Sequence, residues 1–349
     1  MPTAVIRADA SATLGHGHVM RCLALATALR DQGIEVQFLL RRLPGDAVPA
    51  IEQAGFGWHR LPMSASTEEA DAQACAEHLY GHGDADLLVL DHYQRGAAWV
   101  ERLRSHARRV LVIDDLADRP LAGDLLLDQN WHDAPDERYA PVWPAGAASL
   151  FGPAHALLRS EFAAARATQA PRSGALQRVV IAFGGSDPLN ATEACLSLLH
   201  AELPMLGFDV IVGSGSPHAG AILSRWNETP GVEVTVGAGD IARRFAAADL
   251  FIGAGGSMTW ERACLGLPGI TLPIAANQQP LCARLAAAGE GIDLQMFGAE
   301  ALRRLVPAVQ ALMADEARVK AMGERLARRC DGLGVKRVAA AALEHALAG

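Results

Sequence analysis

Short apolar runs alternate with longer amphipathic stretches along nearly the whole of this 349-residue chain. The apolar runs have the length of buried strands, and the stretches between them have the length of helices. Such alternation predicts parallel β-sheets with helices packed on both faces. The first set of predicted strands lies at 3–6, 35–40, 87–91, 110–114 and 125–128.

The alternation stops and then starts again, which predicts two domains. Residues 131–152 are rich in proline, alanine and tryptophan, a predicted helix at 156–165 follows, and the small and polar residues 166–174 are typical of a linker. Because domains commonly hold about 100–200 residues, we predict an N-terminal domain over 1–165 and a C-terminal domain over 175–349, whose last helix can pack back on the first. The second set of predicted strands lies at 179–183, 208–212, 232–236, 250–252 and 270–272.

Charge, hydropathy and cysteine usage exclude several classes of protein. The net charge of −8 argues against a general nucleic-acid binder. No uncharged apolar run approaches the roughly 18 residues of a membrane span, and no basic-then-apolar signal precedes the first strand. The six cysteines form no C-x-x-C pair, so we expect reduced core thiols and a cytoplasmic protein.

The loop after the first predicted strand carries the most unusual residues of the N-terminal half. It reads RADASATLGHGHVMR from Arg7 to Arg21. A dinucleotide-binding fold has the motif G-x-G-x-x-G after its first strand. Gly15 and Gly17 match its first two glycines, but Met20 stands in place of the third, so we exclude a nicotinamide site. His18 stands where the next helix begins, and the helix dipole favours a neutral imidazole that can accept a proton from water. His18 is therefore a candidate general base, although a cap or a bond to Asp9 is the structural alternative.

Polar clusters end three further predicted strands of the same half. They are DHY at 91–93, DD at 114–115 and DQN at 128–130. Because the carboxyl ends of parallel strands meet at one edge, we expect these side chains near His18. One such cluster alone would only cap a loop, but three on one edge predict a polar pocket. The spacing of the histidines and aspartates there matches no zinc pattern, so we expect no metal.

Glycine-rich turns follow the strands of the C-terminal half. The turn at 184–186 follows one strand, and Gly255 and Gly256 follow another and precede a helix that starts near Ser257. Free N–H groups at that start favour a diphosphate, and Glu261 one helical turn later can accept hydrogen bonds from ribose hydroxyls. The alternative is that the glycines only form tight turns. A P-loop is excluded because no G-x-x-x-x-G-K-[ST] occurs.

Together these motifs resemble the UDP-2,4-diacetamido-2,4,6-trideoxy-β-L-altropyranose hydrolases of pseudaminic acid synthesis. The matching pieces are R-x-D-x-S-x-x-x-G-x-G-H-x-x-R at 7–21, DHY at 91–93, IDD at 113–115, FGGSD at 183–187, GGSMTWE at 255–261 and NQ at 277–278. The C-terminal pieces are shared with the wider glycosyltransferase-B group, including the MurG-like transferases. The N-terminal loop and the DHY tripeptide discriminate between the two.

The resemblance implies an α/β, glycosyltransferase-B-like fold with two Rossmann-like domains facing across a cleft. It implies hydrolysis of a UDP-sugar at the anomeric carbon with inversion, without metal or cofactor. The implied catalytic residues are His18 and Tyr93. The implied sugar- or phosphate-binding residues are Arg7, Asp9, Gly17, Arg21, Asp91, Asn277 and Gln278. The implied UDP-binding residues are Gly184, Gly185, Ser186, Gly256, Ser257, Met258 and Glu261.

The chemistry of the leaving group favours a hydrolase with a single base. A nucleoside diphosphate leaves as a stable anion, because the second pKa of a terminal phosphate is about 6. The acid that a glycosidase needs for a poor alkoxide leaving group is then dispensable. The alternatives are a glycosyltransferase of the same fold, which needs an acceptor site that residues 41–82 do not suggest, and a UDP-sugar-binding module without turnover.

Overall fold

The computed structural model describes residues 1–11 and 14–344. The chain forms two compact units, each built on one parallel sheet. The N-terminal unit comprises residues up to Arg159 and the chain from Leu333 onward, and the C-terminal unit comprises Ser160–Gly332.

The N-terminal unit holds a seven-stranded sheet whose neighbouring strands are all parallel. Its strands are β1 (Thr3–Ala8), β2 (Glu35–Arg41), β3 (Gly57–Leu61), β4 (Ala85–Asp91), β5 (Ala107–Ile113), β6 (Leu125–Asp128) and β7 (Ala148–Phe151). Its helices are α1 (Gly17–Arg30), α2 (Val48–Gln53), α3 (Glu68–His82), α4 (Ala97–Leu103) and α5 (Pro135–Tyr139), with 3₁₀ turns at Arg104–His106 and Pro153–His155. The spatial order is β3-β2-β1-β4-β5-β6-β7.

The C-terminal unit repeats this plan with a six-stranded parallel sheet. Its helices are α6 (Ser160–Thr168), α7 (Ala191–Glu202), α8 (Ala219–Trp226), α9 (Ile241–Ala247), α10 (Met258–Cys264), α11 (Gln279–Ala287), α12 (Ala299–Met313) and α13 (Glu316–Ala327), with a 3₁₀ turn at Ala276–Gln278. Its strands are β8 (Arg178–Ala182), β9 (Gly207–Val212), β10 (Val232–Val236), β11 (Leu250–Gly253), β12 (Gly269–Thr271) and β13 (Ile292–Asp293), in the order β10-β9-β8-β11-β12-β13.

The continuous apolar runs of the sequence become central strands that are buried on both faces. Successive side chains of a strand point to opposite faces, so Ile6 of β1 packs in the apolar cluster that contains α1, and Val5 packs with Leu39 in the cluster on the other face. Small residues such as Ala24 and Ala26 of α1 are buried against the sheet. They let the helix approach the strands closely.

The first boundary between the units lies before the predicted one. We predicted a boundary after residue 165, but α6 starts at Ser160 and packs against α9 and α10 of the C-terminal unit. The final helix, α14 (Gly334–Leu343), packs against α1 and belongs to the N-terminal unit. Val338 and Ala339 of α14 are fully buried there, and this apolar burial joins the helix to the first core.

Three strands escaped prediction, and all three lie at an edge of their sheet. They are β3, β7 and β13, whose residues are largely exposed or half-buried. An edge strand is covered on fewer sides, so it needs no continuous apolar run, and such a run is the signal that located the other strands. The segment 131–152, where we predicted a pause in the alternation, contains the short helix α5 and the edge strand β7.

All six cysteines are buried, and none of them is in a disulfide. Over the described part of the chain, the helices are too short or too polar to cross a lipid bilayer.

Three imidazoles stack beside the edge strand β3. The ring of His78 lies 4.3 Å from that of His59 and 4.2 Å from that of His82, centroid to centroid. The His78 Nε2 lies 2.9 Å from Oε1 of Gln37. Burial, together with the charges of His59 and His82, lowers the pKa of His78 from 6.5 to about 4.

We predict that this stack makes stability fall in mild acid. A histidine with a depressed pKa in the folded state takes up a proton on unfolding between pH 6.5 and about pH 4. The free energy of unfolding should therefore fall as the pH drops through that window, by up to about 1.4 kcal/mol per pH unit from this group. Urea unfolding of the wild type and of His78→Gln at several pH values gives the slope of the unfolding free energy against pH, which should be smaller in the variant.

The matched control is His106→Gln, which removes an imidazole that pairs with Asp84 at 3.0 Å and has no histidine neighbour in the described structure. Equal slopes for the wild type and His78→Gln between pH 6.5 and 4 would show that the stack does not couple to folding.

Candidate active site

The strand order gathers the polar strand ends of the N-terminal unit at one edge. Strands β1, β4, β5 and β6 are consecutive in the sheet. Asp91, the last residue of β4, lies beside Ala8 of β1 on one side and Ile113 of β5 on the other. The predicted clustering at the carboxyl edge therefore follows from the sheet order, and helix α1, which carries His18, starts at the same edge.

His18 and Asp91 form a buried hydrogen-bonded pair at this edge. The His18 Nδ1 lies 2.5 Å from Oδ1 of Asp91, whose side chain is fully buried. Nδ1 has two polar neighbours, the Asp91 oxygen at 2.5 Å and Nη2 of Arg21 at 3.2 Å. Because the carboxylate contact is much the shorter and a carboxylate only accepts hydrogen bonds, the proton of a neutral His18 resides on Nδ1. The Nε2 atom then keeps its lone pair, and none of the described residues places a hydrogen-bond partner on it. The pair is arranged as a base with a free nitrogen.

Arg21 keeps the Asp91 carboxylate charged. Its Nε donates to Oδ2 and its Nη2 to Oδ1, each at 2.7 Å. Burial by itself would raise the pKa of Asp91, but the charges and hydrogen bonds of Arg21 and His18 outweigh it and hold the pKa far below the usual range. The Nη1 of Arg21 also reaches Oδ2 of Asp115 at 3.4 Å. Arg21 is thus held by two acidic strand ends.

Tyr93 completes the group around His18. Its ring meets the imidazole edge-on, with centroids 4.5 Å apart and planes at 81°. Burial, followed by the charges of Asp115 and Asp91, raises the pKa of the phenol. The hydroxyl therefore remains protonated near neutral pH and can donate a hydrogen bond.

Arg7 and Asp9 lie beneath the edge rather than at its surface. Arg7 donates to both Asp9 oxygens, at 2.6 and 2.9 Å, and its side chain is fully buried. Asp9 is 1% exposed, so neither side chain presents an atom to a ligand in this conformation. The alternative that Asp9 bonds His18 is wrong, because Asp91 occupies that position. Arg7 and Asp9 instead hold the loop that follows β1.

His92 contacts a different carboxylate from His18. Its Nδ1 accepts from the backbone N–H of Gln94 at 3.0 Å, which leaves the proton on Nε2, 3.4 Å from Oδ2 of Asp9. Burial lowers the pKa of this imidazole. The two histidines therefore serve different carboxylates and do not converge on one point with Asp91.

Sequence reasoning missed Asp71, which lies in α3. It accepts from Arg7 at 2.5 Å, from Arg95 at 3.3 Å and from the indole of Trp99 at 2.8 Å. Asp71 lies 64 residues from Arg7 and no strand-end pattern marks it. A full charge in the apolar face of a helix was the only signal available.

Arg41 at the end of β2 is a second residue that the sequence left without a role. Its backbone N–H donates to Oδ1 of Asp9 at 2.9 Å, and its Nε donates to Oδ2 at 3.0 Å. The only signal in the sequence is that a basic residue stands at the end of this strand, where a dinucleotide fold would have an acidic one.

The C-terminal unit brings its predicted turns together in the same way. Strands β8, β11 and β12 are neighbours, so the turns that follow them share one edge. Gly184 has φ +90°, which favours glycine. Asp187 of the FGGSD motif is buried, and its carboxylate accepts from the N–H groups of Ala191 and Thr192, each at 2.9 Å. Asp187 therefore holds the start of α7.

The turns after β11 and β12 pack tightly on each other. A Cβ on Gly255 would lie 2.0 Å from the Cys282 thiol sulfur, and one on Gly256 would lie 3.7 Å from Nε2 of Gln278. The Gln278 side chain is held by the N–H of Ile274, which donates to its Oε1 at 2.9 Å. Asn277 is exposed beside it. Glycine at 255 is therefore a packing requirement as well as a turn residue.

The start of α10 leaves two N–H groups available. The amides of Thr259 and Trp260 donate back to the carbonyls of Gly256 and Ser257, at 3.0 and 3.3 Å. Ser257 is exposed and Met258 is half-buried, and their N–H groups find no acceptor within the described ranges. Glu261, half-buried, lies one turn further along the helix.

The chain matches no protein-family model. One relative is an uncharacterised protein of Methanocaldococcus jannaschii, 22% identical over 279 residues that make up 76% of this chain and 54% of that protein. Another is the spore coat polysaccharide biosynthesis protein SpsG of Bacillus subtilis, 28% identical over 145 residues, or 41% of this chain and 42% of that protein. The chain thus spans about half the length of these curated relatives.

Solved structures of glycosyltransferases share the fold. MurG of Acinetobacter baumannii is 15% identical with a TM-score of 0.64, and the match covers 99% of this chain and 100% of that one. UGT2 of Phytolacca americana, complexed with UDP-2-fluoro-glucose and pterostilbene, is 13% identical with a TM-score of 0.66 over the same shares of both chains. The predicted glycosyltransferase-B-like α/β fold is confirmed.

We predict that Gly255→Ala disturbs the turn after β11 and that Cys282→Ala restores it. The added methyl group would overlap the thiol sulfur of Cys282. Overpacking of this kind should lower the free energy of unfolding by about 1–3 kcal/mol. In the double variant the nearest remaining atoms, of Gln278, lie 3.5 and 3.6 Å away, which is ordinary contact.

Urea unfolding of the two single variants and the double variant measures the coupling. Additive effects of the two substitutions would show that the contact with Cys282 does not set the requirement for glycine.

Proposed function

We propose that this chain is a hydrolase that cleaves the anomeric C–O bond of a UDP-sugar and releases UDP and the free sugar with inversion. The proposed substrate class is a UDP-diacetamido-trideoxyhexose of pseudaminic acid synthesis, as the sequence resemblance implies, in a cytoplasmic reaction. The observation that carries the proposal is the His18–Asp91 pair, with Nδ1 2.5 Å from a buried, charged carboxylate and with Nε2 unbonded within the described residues.

This pair suits the activation of water. In the proposed step Nε2 of His18 removes a proton from a water molecule while the oxygen attacks the anomeric carbon. The bond from that carbon to the UDP oxygen breaks, and UDP takes the electron pair. Asp91 stays ionised and stabilises the imidazolium that forms. No group on the enzyme needs to protonate the leaving diphosphate, and the reaction requires neither metal nor cofactor.

Features of the C-terminal unit support UDP as its ligand. The N–H groups of Ser257 and Met258, which have no acceptor in the described part of the chain, suit phosphate oxygens. We propose that Glu261 accepts hydrogen bonds from the ribose and that the Gly184–Ser186 turn and Gly256 let the nucleotide approach the backbone. Asn277 and Gln278, on the neighbouring turn, are proposed to contact phosphate or sugar.

The residues around His18 have supporting roles in this proposal. Tyr93 donates its hydroxyl hydrogen to the substrate or to the attacking water, because its raised pKa keeps the phenol protonated. Arg21 fixes the charge and orientation of Asp91 and, with 9% of its side chain exposed, offers a cation to the substrate. Gly17 opens α1 immediately before His18 and leaves space above the helix start.

A UDP-sugar glycosyltransferase is the second candidate. The observation that favours it is the fold, which is shared with MurG and with the plant transferase solved with UDP-2-fluoro-glucose and pterostilbene. In a transferase the same base would remove a proton from an acceptor hydroxyl instead of water. Turnover without any acceptor separates the two reactions.

We predict that the wild type converts the UDP-linked diacetamido-trideoxy sugar without metal or acceptor, and that His18→Ala does not. Loss of the base should lower kcat by about 10²–10⁴-fold while UDP affinity stays unchanged, because the nucleotide contacts are proposed for the other unit. Proton NMR follows the release of UDP and the configuration of the new anomeric signal, and calorimetry measures UDP binding.

The matched control is His106→Ala, which removes a histidine that is also paired with an aspartate, Asp84, but lies outside the site. Full turnover by His18→Ala would refute the base assignment. Binding of the UDP-sugar by the wild type without turnover would favour the transferase.

We predict that Asp91→Asn lowers kcat by about 100-fold or more while UDP affinity is retained. An amide at this position can donate to Nδ1, which would move the imidazole proton to Nε2 and remove the free lone pair. The ¹⁵N chemical shifts of His18 report the tautomer directly, and a merely structural defect would not reverse them.

Cys22→Ala is the control for this variant, because it removes a 3.5 Å thiol contact to Oδ2 of Asp91 and leaves the His18 bond in place. An unchanged tautomer together with an unchanged kcat in Asp91→Asn would contradict the positioning role of Asp91.

A further inference from the structure

A chain of alternating charges leads from the interior of the N-terminal unit to its carboxyl edge. Asp71 binds Arg7, Arg7 binds Asp9, and Asp9 binds Arg41. The first three side chains are fully buried, and the Arg41 side chain is 11% exposed. The chain of ion pairs therefore ends at Arg41.

Only part of the Arg41 guanidinium is used by the protein. Its Nε donates to Asp9 at 3.0 Å, and its backbone N–H donates to the other Asp9 oxygen at 2.9 Å. Its Nη1 and Nη2 atoms have no acceptor anywhere in residues 1–11 and 14–344. The Nε side of the planar guanidinium is therefore bonded to Asp9, and the two Nη atoms keep donors that the described residues do not use.

Such an arrangement differs from an ordinary surface arginine. The adjacent Arg42 has a side chain that is 53% exposed and makes one 3.4 Å contact with Asp46, four residues away. Arg41, in contrast, is held by a buried carboxylate whose pKa lies far below its usual range, owing to His92 and Arg7, which outweigh burial. A fork fixed in this way loses little conformational freedom when it binds a second acceptor.

Arg41 belongs to the same edge as the proposed base. Strand β2 pairs with β1, Arg7 lies beside Leu39, and Arg41 comes two residues later at the carboxyl end. The loop that follows β2 also contacts the loop before α1, because Nε2 of His16 lies 2.8 Å from the carbonyl oxygen of Gly45. Arg41 therefore lies at the same edge as Asp91, the partner of His18, with only strand β1 between their two strands.

We propose that the free Nη1 and Nη2 donors of Arg41 bind acceptor oxygens of the UDP-sugar. This inference rests on the proposed function and adds a specificity-determining residue to it. Guanidinium forks bind oxygen pairs well, and two groups of the substrate offer such oxygens: the diphosphate and the acetamido carbonyls. The network of Asp71, Arg7 and Asp9 then serves to aim this arginine.

The test compares Arg41→Lys and Arg41→Met with Arg42→Met as the matched control. Lysine retains a charge that can pair with Asp9 but loses the fork. For Arg41→Lys we expect KM for the UDP-diacetamido-trideoxy sugar to rise about 10- to 100-fold with kcat changed only a few-fold. Arg42→Met should match the wild type in both constants.

Binding is measured separately in the His18→Ala background with UDP and with the intact UDP-sugar. Weaker binding of the UDP-sugar alone would assign the sugar oxygens to Arg41, and equal weakening of both ligands would assign the diphosphate. Unchanged affinity for both ligands in Arg41→Lys and Arg41→Met would overturn the proposal. Thermal unfolding of each variant identifies any loss of affinity that comes from misfolding. If Arg41→Met misfolds, the affinities of Arg41→Lys decide the role of Arg41.

The same measurements keep the two hypotheses apart. If the wild type binds the UDP-sugar but does not hydrolyse it, the hydrolase function fails, and the affinities still decide the role of Arg41. If the wild type hydrolyses the sugar and the Arg41 variants keep its KM, the hydrolase function stands and Arg41 has no part in binding.

Discussion

The ion pair between Arg21 and Asp91 is the interaction on which the N-terminal site depends. A carboxylate buried at the end of a central strand would be neutral or destabilising without a cation beside it. The guanidinium binds both Asp91 oxygens at 2.7 Å, and the remaining capacity of the carboxylate is directed at Nδ1 of His18. Arg21 thus keeps Asp91 charged and, by fixing its carboxylate, also sets the orientation of the His18 imidazole.

A second buried network supports the same edge from below. Arg7, Asp9 and Asp71 satisfy one another inside the unit, and the network also engages Arg95 and the indole of Trp99. Removal of one member would leave an uncompensated buried charge, which costs far more than loss of an exposed pair. The loop after β1 is therefore held by electrostatics at its base. Within the described residues, no neighbouring atom lies within 4 Å of a Cβ built on Gly15 or Gly17 of this loop.

The C-terminal unit reaches a similar arrangement with backbone and glycine instead of charge. Its turns after β11 and β12 touch through Gly255, Cys282 and Gln278, and no ion pair is involved in that contact. Amide groups are suited to an anionic ligand, whereas an imidazole base needs a carboxylate partner. This chemical contrast between the two edges agrees with their proposed roles, which are the activation of water by the N-terminal unit and the binding of UDP by the C-terminal unit.

The sequence alone determined the α/β class, the central strands of both sheets and the loops that carry polar residues. Those features are local, because apolar periodicity and glycine turns act over a few residues. Edge strands such as β3 and β7 lacked that signal, since they are only partly buried. The tertiary structure alone decided that His18 pairs with Asp91, 73 residues away, and that Arg7 pairs with Asp71, 64 residues away. Such partners are chosen by the order of strands in the sheet, which brings distant strand ends within hydrogen-bonding distance and which no local pattern encodes.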